Sequence, residues 1–316
     1  MDQFNVYKDM KARTNGEIYI GVVGPVRTGK STFIKRFMNL MVLPNIEDEN
    51  DRNRANDELP QSSSGKTIMT TEPKFVPNEA VSIKTEEGIE LNVRLIDCVG
   101  YMVEGATGHM EGEEERLVKT PWFDYEIPFT KAAAIGTKKV ITEHSTIGVV
   151  VTCDGSFGEI AAKQYEPAEE ETIKQLKALK KPFVVLLNTI HPYSESTKQL
   201  AAEKEEKYQT KVLPMNLEQM KKEDIYEIIK SVLMEFPISS IGFYVPRWTE
   251  MLKKDHPLKM ELLQMARDVI TEKTTMRDIY EEQEKEYEYI TGQKLESVAM
   301  DSGEVVITVK VGDVYY

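Results

Sequence analysis

The sequence predicts an α/β fold with a mainly parallel sheet and one antiparallel edge strand, followed by a partial α+β second domain. Short apolar runs alternate with segments of helical periodicity as far as residue 237 of the 316 residues. Two runs with period-two alternation flank a glycine-containing turn and predict a hairpin, which supplies the antiparallel strand. After Phe236 and Pro237 the pattern changes, so the sequence predicts domains of residues 1–237 and 238–316.

The elements of the first domain follow from apolar periodicity. The predicted strands are 17–24, 80–85, 91–98, 146–155, 182–188 and 211–216, and the predicted helices are 30–43, 169–181, 195–208 and 217–236. Residues 44–75 are a long polar stretch without periodicity, which is typical of a functional or disordered segment.

The second domain is predicted from fewer signals. Residues 245–289 predict mostly one long helix, with Pro257 in its first turn. Residues 294–300 and 304–311 flank Asp-Ser-Gly, a hairpin signal. One helix and one hairpin make a thin core, so we expect the truncated beginning of a middle α+β domain.

The composition argues against a nucleic-acid-binding, disulfide-rich, membrane-spanning or secreted protein. Hydrophobic residues make up 41% of the chain, enough for a core, and 53 acidic against 40 basic residues give a net charge of −13, which disfavours a nucleic-acid partner. Two isolated cysteines, Cys98 and Cys153, predict a reducing compartment without disulfides. No apolar run reaches ~18 residues, and the first residues lack a signal-peptide core. We therefore expect a soluble cytoplasmic protein.

The stretch GPVRTGKST, Gly24–Thr32, matches the phosphate-binding pattern G-x-x-x-x-G-K-[ST] between a predicted strand and a predicted helix, the context that this Walker A motif requires. Glycines let the backbone approach phosphate oxygens, and the following helix N-terminus attracts anions. Lys30 would bridge the β- and γ-phosphates, and the Ser31 hydroxyl would bind Mg²⁺. The sequence therefore predicts a P-loop NTPase, with these nucleotide-binding candidates in the loop: Gly24, Arg27, Thr28, Gly29, Lys30, Ser31 and Thr32.

A second motif follows the second hairpin arm. Asp97 ends an apolar strand and could hold Mg²⁺ through water, and Gly100 three residues later could sense the γ-phosphate. Just before the hairpin, Thr70 and Thr71 are candidates for a switch that closes over the γ-phosphate and Mg²⁺, and the sequence does not choose between them. The candidate catalytic residues are Lys30, Thr70, Thr71, Asp97 and Gly100, and the candidate metal ligands are Ser31, Thr70, Thr71 and Asp97.

No Gln or His follows Gly100; Tyr101 stands where a water-orienting residue often occurs. Arg27 could reach the phosphates as an arginine finger in cis, or it could point to solvent. Either another group holds the attacking water or turnover is slow.

The base-reading motif is altered. In GTPases a strand end carries Asn-Lys-x-Asp, whose Asp accepts two hydrogen bonds from guanine. Here Asn188, a nucleotide-binding candidate, is followed by Thr189, Ile190 and His191. Two charge-assisted bonds supply about 3–6 kcal/mol. Because this discrimination is lost while the phosphate motifs are present, we predict a GTPase-like fold that takes ATP.

These motifs resemble those of the stage IV sporulation protein A family, the coat-basement ATPases of endospore-forming bacteria. The resemblance rests on IGVVGPVRTGKSTFIKRFM, DELPQSSSGKTIMTTEPKFVPNEA, RLIDCVGY and EHSTIGVVVTCDG. It is dense over about the first 240 residues and looser from Ile241 onward. Since family members are longer, the chain is similar to an N-terminal fragment.

The resemblance implies a translation-factor-related P-loop protein that hydrolyses ATP and thereby polymerises into the basement layer of the spore coat, on the mother-cell side of the outer forespore membrane. It aligns Lys30 with the family's Walker A Lys, Asp97 with its Walker B Asp, and Thr70 and Thr71 with its sensor threonines. The implied partners are further copies of the chain, a small amphipathic membrane-anchoring peptide, which contacts the C-terminal region of family members, and a LysM-bearing coat protein.

Three functions remain open at this point. The first is an ATPase that polymerises, the second is a regulatory GTPase-like switch with a degenerate base site, and the third is a small-molecule P-loop kinase. The hairpin before Asp97 and the Thr switch disfavour the kinase. Competition between ATP and GTP separates the first two.

Overall fold

A computed structural model describes residues 6–60, 72–84, 90–111, 114–158, 160–280 and 285–312. The chain forms two compact units. We call Thr14–Val232 the larger unit, and Met1–Arg13 together with Leu233–Tyr316 the smaller unit. The domain limits predicted from the sequence stay a prediction.

Strands and helices alternate through the larger unit, and a shorter set forms the smaller one. The strands are β1 (Glu17–Val23), β2 (Lys74–Lys84), β3 (Glu90–Asp97), β4 (Met110–Glu111), β5 (Glu114–Glu115), β6 (Leu117–Thr120), β7 (Phe123–Pro128), β8 (Ile147–Cys153), β9 (Phe183–Asn188), β10 (Val212–Met215), β11 (Ser240–Tyr244), β12 (Ile290–Ala299) and β13 (Glu304–Val311). The α-helices are α1 (Val6–Arg13), α2 (Lys30–Phe37), α3 (Glu49–Asp57), α4 (Phe129–Lys139), α5 (Ala162–Ala178), α6 (Glu195–Tyr208), α7 (Lys222–Met234) and α8 (Pro257–Glu272). Among the helices that the structure describes, none has the length and apolar character needed to cross a membrane.

The larger unit is built on a six-stranded sheet with the order β10-β9-β8-β1-β3-β2. The first five strands in this order pair in parallel. Only β2 is antiparallel, and it pairs with β3 at one edge. The mixed α/β class with a mainly parallel sheet is therefore confirmed, and the edge strand is the first arm of the predicted hairpin.

The central strands are covered on both faces. Every residue of β8 and β9 is buried, as expected for parallel strands between two layers of helices. This burial explains why both strands were readable as continuous apolar runs. On α2, the buried side chains Phe33, Ile34 and Phe37 form the inward face, and each such side chain contributes about 1.5–3 kcal/mol when it is fully buried.

A buried ion pair joins three elements of the larger unit. The Lys204 ammonium on α6 donates to the Glu169 carboxylate on α5 at 2.6 Å, and Glu169 is completely buried. The Thr152 hydroxyl on β8 donates to the other carboxylate oxygen. The prediction that this helix begins at Glu169 is wrong, because α5 begins seven residues earlier, at Ala162.

Several elements were not visible in the sequence. The helix α3 lies inside the polar stretch 44–75, where no regular structure was predicted. Its start is fixed by Asp48, whose carboxylate accepts from the Asp51 N–H at 2.9 Å, and Ala55 is its one buried residue. Without an apolar face, periodicity cannot reveal such a helix. The segments β4–β7 and α4 after Gly100 were also missed.

The smaller unit contains a three-stranded sheet in the order β11-β13-β12. The pairing of β12 and β13 is antiparallel, so the second predicted hairpin is confirmed, whereas β11, parallel to β13, was not predicted. The long helix predicted over 245–289 is wrong, although Pro257 does begin α8. The helix ends at Glu272 because the Asp278 carboxylate accepts hydrogen bonds from the N–H groups of Thr274 and Thr275. Such local bonds compete with helix continuation.

Candidate functional site

The carboxyl ends of the parallel strands meet at one edge of the sheet. Gly24 directly follows β1, Asp97 ends β3 and Asn188 ends β9. The chain turns from β1 toward β3 on one side and returns to β8 on the other. The loop after β1 therefore lies at the topological switch point, where open parallel sheets bind their ligands.

The loop from Gly24 to Lys30 adopts a conformation that depends on two glycines. Gly24 has φ +126° and Gly29 has φ +100°, values that disfavour any residue with a Cβ. A Cβ on Gly24 would lie 2.4 Å from the Val151 carbonyl oxygen. Gly29 precedes the first turn of α2, so the loop ends at a helix N-terminus, a position that attracts anions.

Lys30 is buried at the bottom of this loop. Its ammonium donates to the Pro25 carbonyl at 2.5 Å, and the Thr28 hydroxyl donates to the same oxygen at 3.0 Å. Gly100, with φ +95°, lies against Gly24 and Lys30. A Cβ on Gly100 would lie 2.2 Å from the Gly24 carbonyl oxygen and 2.6 Å from the Lys30 ammonium. The second motif therefore packs against the first without room for a side chain.

The two loops are also joined through their backbones. The Val26 N–H donates to the Tyr101 carbonyl at 2.9 Å, and the Tyr101 N–H donates to the Gly24 carbonyl at 3.3 Å. The sequence placed Tyr101 where a water-orienting residue often occurs, without predicting this pairing between the two loops. Burial raises the pKa of Tyr101 to about 12, an effect that Gln175 of α5 partly offsets.

Ser31 and Asp97 form the contact between α2 and β3. The Ser31 hydroxyl donates to one Asp97 carboxylate oxygen at 2.9 Å. The other oxygen, Oδ1, is buried and has no hydrogen-bond partner. A hydroxyl beside a carboxylate oxygen is a donor set that suits Mg²⁺, which prefers hard oxygen ligands. The residues present therefore fit the ion that the motifs imply.

The charges at this point are poorly solvated. Burial raises the pKa of Asp97, and the Ser31 hydrogen bond and the Lys30 charge partly offset this rise. Burial lowers the pKa of Lys30, and the electrostatic effects of Cys98 and Asp97 partly offset this fall. Cys98 itself is a buried free thiol whose pKa burial raises to about 11. A divalent cation near Asp97 and an anion near Lys30 would each stabilise the ionised form.

Asn188 braces the loop from the opposite side. Its amide nitrogen donates to the Thr28 carbonyl at 3.0 Å, and its amide oxygen accepts from the Leu217 N–H at 3.3 Å. A Cβ on Gly29 would lie 2.7 Å from the same nitrogen. Leu217 was not predicted as a site residue, although its place two residues after the end of β10 was a usable signal.

The segment after Asn188 carries no carboxylate. The Ile190 N–H donates to the Ser156 hydroxyl at 3.1 Å, and the His191 N–H donates to the Thr189 hydroxyl at 3.1 Å. These bonds hold the backbone of the segment without adding an acceptor of the kind that reads guanine.

The remaining predicted residues are less tightly tied to this cluster. Arg27 is exposed and donates to the Thr107 hydroxyl at 3.3 Å. Thr32 lies in the first turn of α2. Thr70 and Thr71 lie outside the described residues. The structure thus brings Gly24, Thr28, Gly29, Lys30, Ser31, Asp97, Gly100 and Asn188 together, and their catalytic and binding roles stay predictions.

The fold and the site define a mixed α/β protein with a G-x-x-x-x-G-K-S loop at the switch point of a mainly parallel sheet. The chain belongs to the stage IV sporulation protein A family. The family profile described as "Stage IV sporulation protein A, ATPase domain" matches residues 1–237, and the profile described as the middle domain of the same protein matches residues 238–316. The predicted family is confirmed.

Curated relatives named "Stage IV sporulation protein A" agree with this assignment. The Bacillus anthracis protein is 46% identical over 318 residues and the Bacillus subtilis (strain 168) protein 45%, each alignment covering 100% of this chain and 65% of the relative. The Clostridioides difficile (strain 630) protein is 54% identical over 275 residues, covering 87% of this chain and 56% of that protein. The chain therefore spans 56% to 65% of the length of these relatives.

Solved structures are much less similar. Two crystal structures of SsGBP mutation variants match with TM-scores of 0.37 and 0.38 and identities of 16% and 14%, covering 70% and 74% of this chain and 58% and 66% of theirs. At these TM-scores the likeness carries no argument.

Proposed function

We propose that this chain is a P-loop ATPase of the translation-factor-related class, which binds ATP with Mg²⁺ and hydrolyses it to ADP and phosphate. The observation that carries the proposal is the cluster of Lys30, Ser31, Asp97 and Gly100. The Ser31 hydroxyl donates to the Asp97 carboxylate at 2.9 Å, and a Cβ on Gly100 would lie 2.6 Å from the buried Lys30 ammonium. The family's ATPase-domain profile over residues 1–237 supports it.

The phosphate chain is bound by the loop backbone and Lys30. The N–H groups of the loop and the N-terminus of α2 donate to phosphate oxygens. The Lys30 ammonium exchanges the Pro25 carbonyl for β- and γ-phosphate oxygens, which are stronger acceptors because they are charged. The Gly100 N–H contacts the γ-phosphate, and the missing side chain makes this close approach feasible.

The Ser31 hydroxyl and the Asp97 carboxylate would hold Mg²⁺, directly or through water, and Thr70 or Thr71 would be a further ligand in the closed state. When bound, Mg²⁺ neutralises charge on the β- and γ-phosphate oxygens. The free Oδ1 atom of Asp97 gains a partner in this arrangement. Thr70 or Thr71 closes over the γ-phosphate before hydrolysis and releases it afterwards.

We assign adenine as the base because the residues that follow Asn188, from Thr189 to His191, offer guanine no carboxylate. Asn188 uses both ends of its amide on Thr28 and Leu217. His191 stands where GTPases carry the guanine-reading Asp. The loss of two charge-assisted hydrogen bonds removes about 3–6 kcal/mol of preference for guanine.

Membership of the family supports the following biological role for the proposed ATPase. Hydrolysis converts the protein into a state that polymerises with further copies into the basement layer of the spore coat. This layer lies on the cytoplasmic, mother-cell side of the outer forespore membrane, and nucleic acid has no part in it. The resemblance implies two further partners of the family: a LysM-bearing coat protein, and a small amphipathic membrane-anchoring peptide that contacts the C-terminal region of family members.

The proposal is tested by measuring phosphate release from ATP and GTP while following sedimentation. Lys30→Ala should weaken nucleotide binding because it removes a charge from the β- and γ-phosphates. The double variant Thr70→Ala with Thr71→Ala should still bind ATP but hydrolyse it poorly. If the double variant loses ATP affinity as severely as Lys30→Ala, the switch assignment is wrong.

A further inference from the structure

Arg27 is the one exposed residue in an otherwise buried stretch. Every residue from Gly21 to Val26 is buried, and so is Thr28. Arg27 has φ +61°, a left-handed conformation that is unfavourable for a residue with a Cβ. Such conformations persist where the surrounding structure enforces them, and they cluster at functional sites.

The Arg27 side chain crosses from the first motif loop to the second. Its guanidinium donates to the Thr107 hydroxyl at 3.3 Å, and Thr107 lies in the loop that follows Gly100. The neighbours on both sides are fixed, because Val26 and Ala106 belong to the same buried hydrophobic cluster. The guanidinium therefore lies across the two loops that bracket the terminal phosphate in the proposed function.

The contacts of Tyr101 are with the first motif loop and α5. Its carbonyl and N–H pair with the Gly24–Val26 segment, and its half-buried ring is near Gln175 on α5. Lys30 already serves the β- and γ-phosphates as a point charge. In the described part of the loop, Arg27 is the other cation, and a guanidinium donates in a planar fork that suits phosphate oxygens.

We infer that Arg27 is a catalytic residue of the proposed ATPase, which donates hydrogen bonds to the γ-phosphate oxygens in the transition state, and that Thr107 holds its guanidinium between turnovers. The inference rests on the proposed function. The water oxygen forms a bond to the γ-phosphorus as the bond to the bridging oxygen breaks. ADP leaves with that electron pair, and the proton of the water passes to phosphate or solvent. Arg27 takes no part in the proton transfer and only neutralises charge.

The test separates binding from catalysis in the whole chain. ATP affinity is measured with a fluorescent ATP analogue, hydrolysis in single turnovers, and transition-state binding by retention of ADP with aluminium fluoride. Arg27→Ala should bind ATP within about tenfold of the wild type, hydrolyse it about 10³-fold more slowly or worse, and lose the aluminium fluoride complex. Arg27→Lys should restore only a small part of the rate, because it returns the charge without the fork.

Two further variants control the assignment. Thr107→Val removes one acceptor of the resting guanidinium, so hydrolysis should become about two- to tenfold faster. Lys35→Ala, which removes an exposed cation from α2, should leave affinity and rate unchanged. Thermal unfolding of each variant verifies that it is folded.

The outcomes are distinct. The assignment is overturned if Arg27→Ala hydrolyses ATP within tenfold of the wild type, or if its loss of rate is matched by its loss of ATP affinity. A Thr107→Val variant as slow as Arg27→Ala overturns the resting role of Thr107. If the wild-type chain binds no ATP, the proposed function itself fails and the inference falls with it.

Discussion

The buried ion pair between α5 and α6 gives a stability prediction with an internal control. Lys204 and Glu169 are 2.6 Å apart, with side chains 11% and 0% exposed. Lys207 and Glu170 join the same two helices at the same distance of 2.6 Å, but their side chains are 46% and 51% exposed. Both lysines also lie over the Tyr208 ring, at 5.6 and 5.4 Å from its centroid. The two pairs therefore differ mainly in burial.

The substitution Lys204→Met removes one charge and leaves the Glu169 carboxylate buried with Thr152 as its remaining partner. Breaking a buried pair in this way costs about 3–5 kcal/mol, because the second charge loses its compensation. Lys207→Met should cost about 0–1 kcal/mol, since water already solvates that pair. Adding Glu169→Gln to Lys204→Met should recover most of the loss, because no buried charge is then left.

The assay is urea unfolding followed by tryptophan fluorescence. The chain has two tryptophans, Trp122 in the larger unit and Trp248 in the smaller one. In a Trp248→Phe background, Trp122 alone reports the unit that contains both pairs. Equal losses for Lys204→Met and Lys207→Met would show that burial does not set the contribution of the pair, and so would a double variant less stable than Lys204→Met.

Three further predictions follow from the geometry. Gly100→Ala should abolish phosphate release and lower the free energy of unfolding by about 1–3 kcal/mol. Gly158 has the same φ of +95°, but a Cβ there would meet nothing within 4 Å, so Gly158→Ala should keep its activity. Similar rates of phosphate release for the two variants would contradict this prediction. Asn188→Ala leaves the Thr28 carbonyl and the Leu217 N–H without their side-chain partner. The ATP affinity should fall, and the free energy of unfolding should fall by about 1–3 kcal/mol. Unchanged ATP titration and unfolding curves would count against the bracing role of Asn188. Burial alone would raise the pKa of Asp278, but hydrogen bonds from neighbouring backbone and hydroxyl groups lower it below the ordinary 3.8, so its stabilisation is complete above that pH and is lost as pH falls through the lowered value. Asp278→Asn should therefore flatten the acid side of the unfolding profile, read from the fluorescence of Trp248, and an unchanged slope would exclude this role.

The central sheet could be predicted because burial on both faces leaves a continuous apolar run. This holds for β1, β8 and β9. The helix α3 could not be predicted, because its exposed polar residues show no apolar periodicity and its start depends on the Asp48 cap alone. The parallel partner β11 is separated from β13 by the whole of α8, and no local pattern encodes such a pairing.

The candidate site divides in the same way. The approach of Asp97 to Ser31 was predictable, because parallel strand ends meet at one edge and each motif follows such an end. The contacts of Leu217 and Thr107 were not, because they depend on the paths of irregular loops. Sequence reasoning left Arg27 with two possible orientations, and its positive φ and its bond to Thr107 are visible only in three dimensions.

In the proposed function, the cluster around Lys30 hydrolyses ATP in preference to GTP. The most direct measurement is phosphate release by the purified chain with Mg²⁺ and equal concentrations of either nucleotide, beside Lys30→Ala prepared in the same way. We expect faster phosphate release from ATP than from GTP, and we expect no release from ATP with Lys30→Ala. Release from GTP at an equal or higher rate, or release from ATP that survives Lys30→Ala, would contradict it.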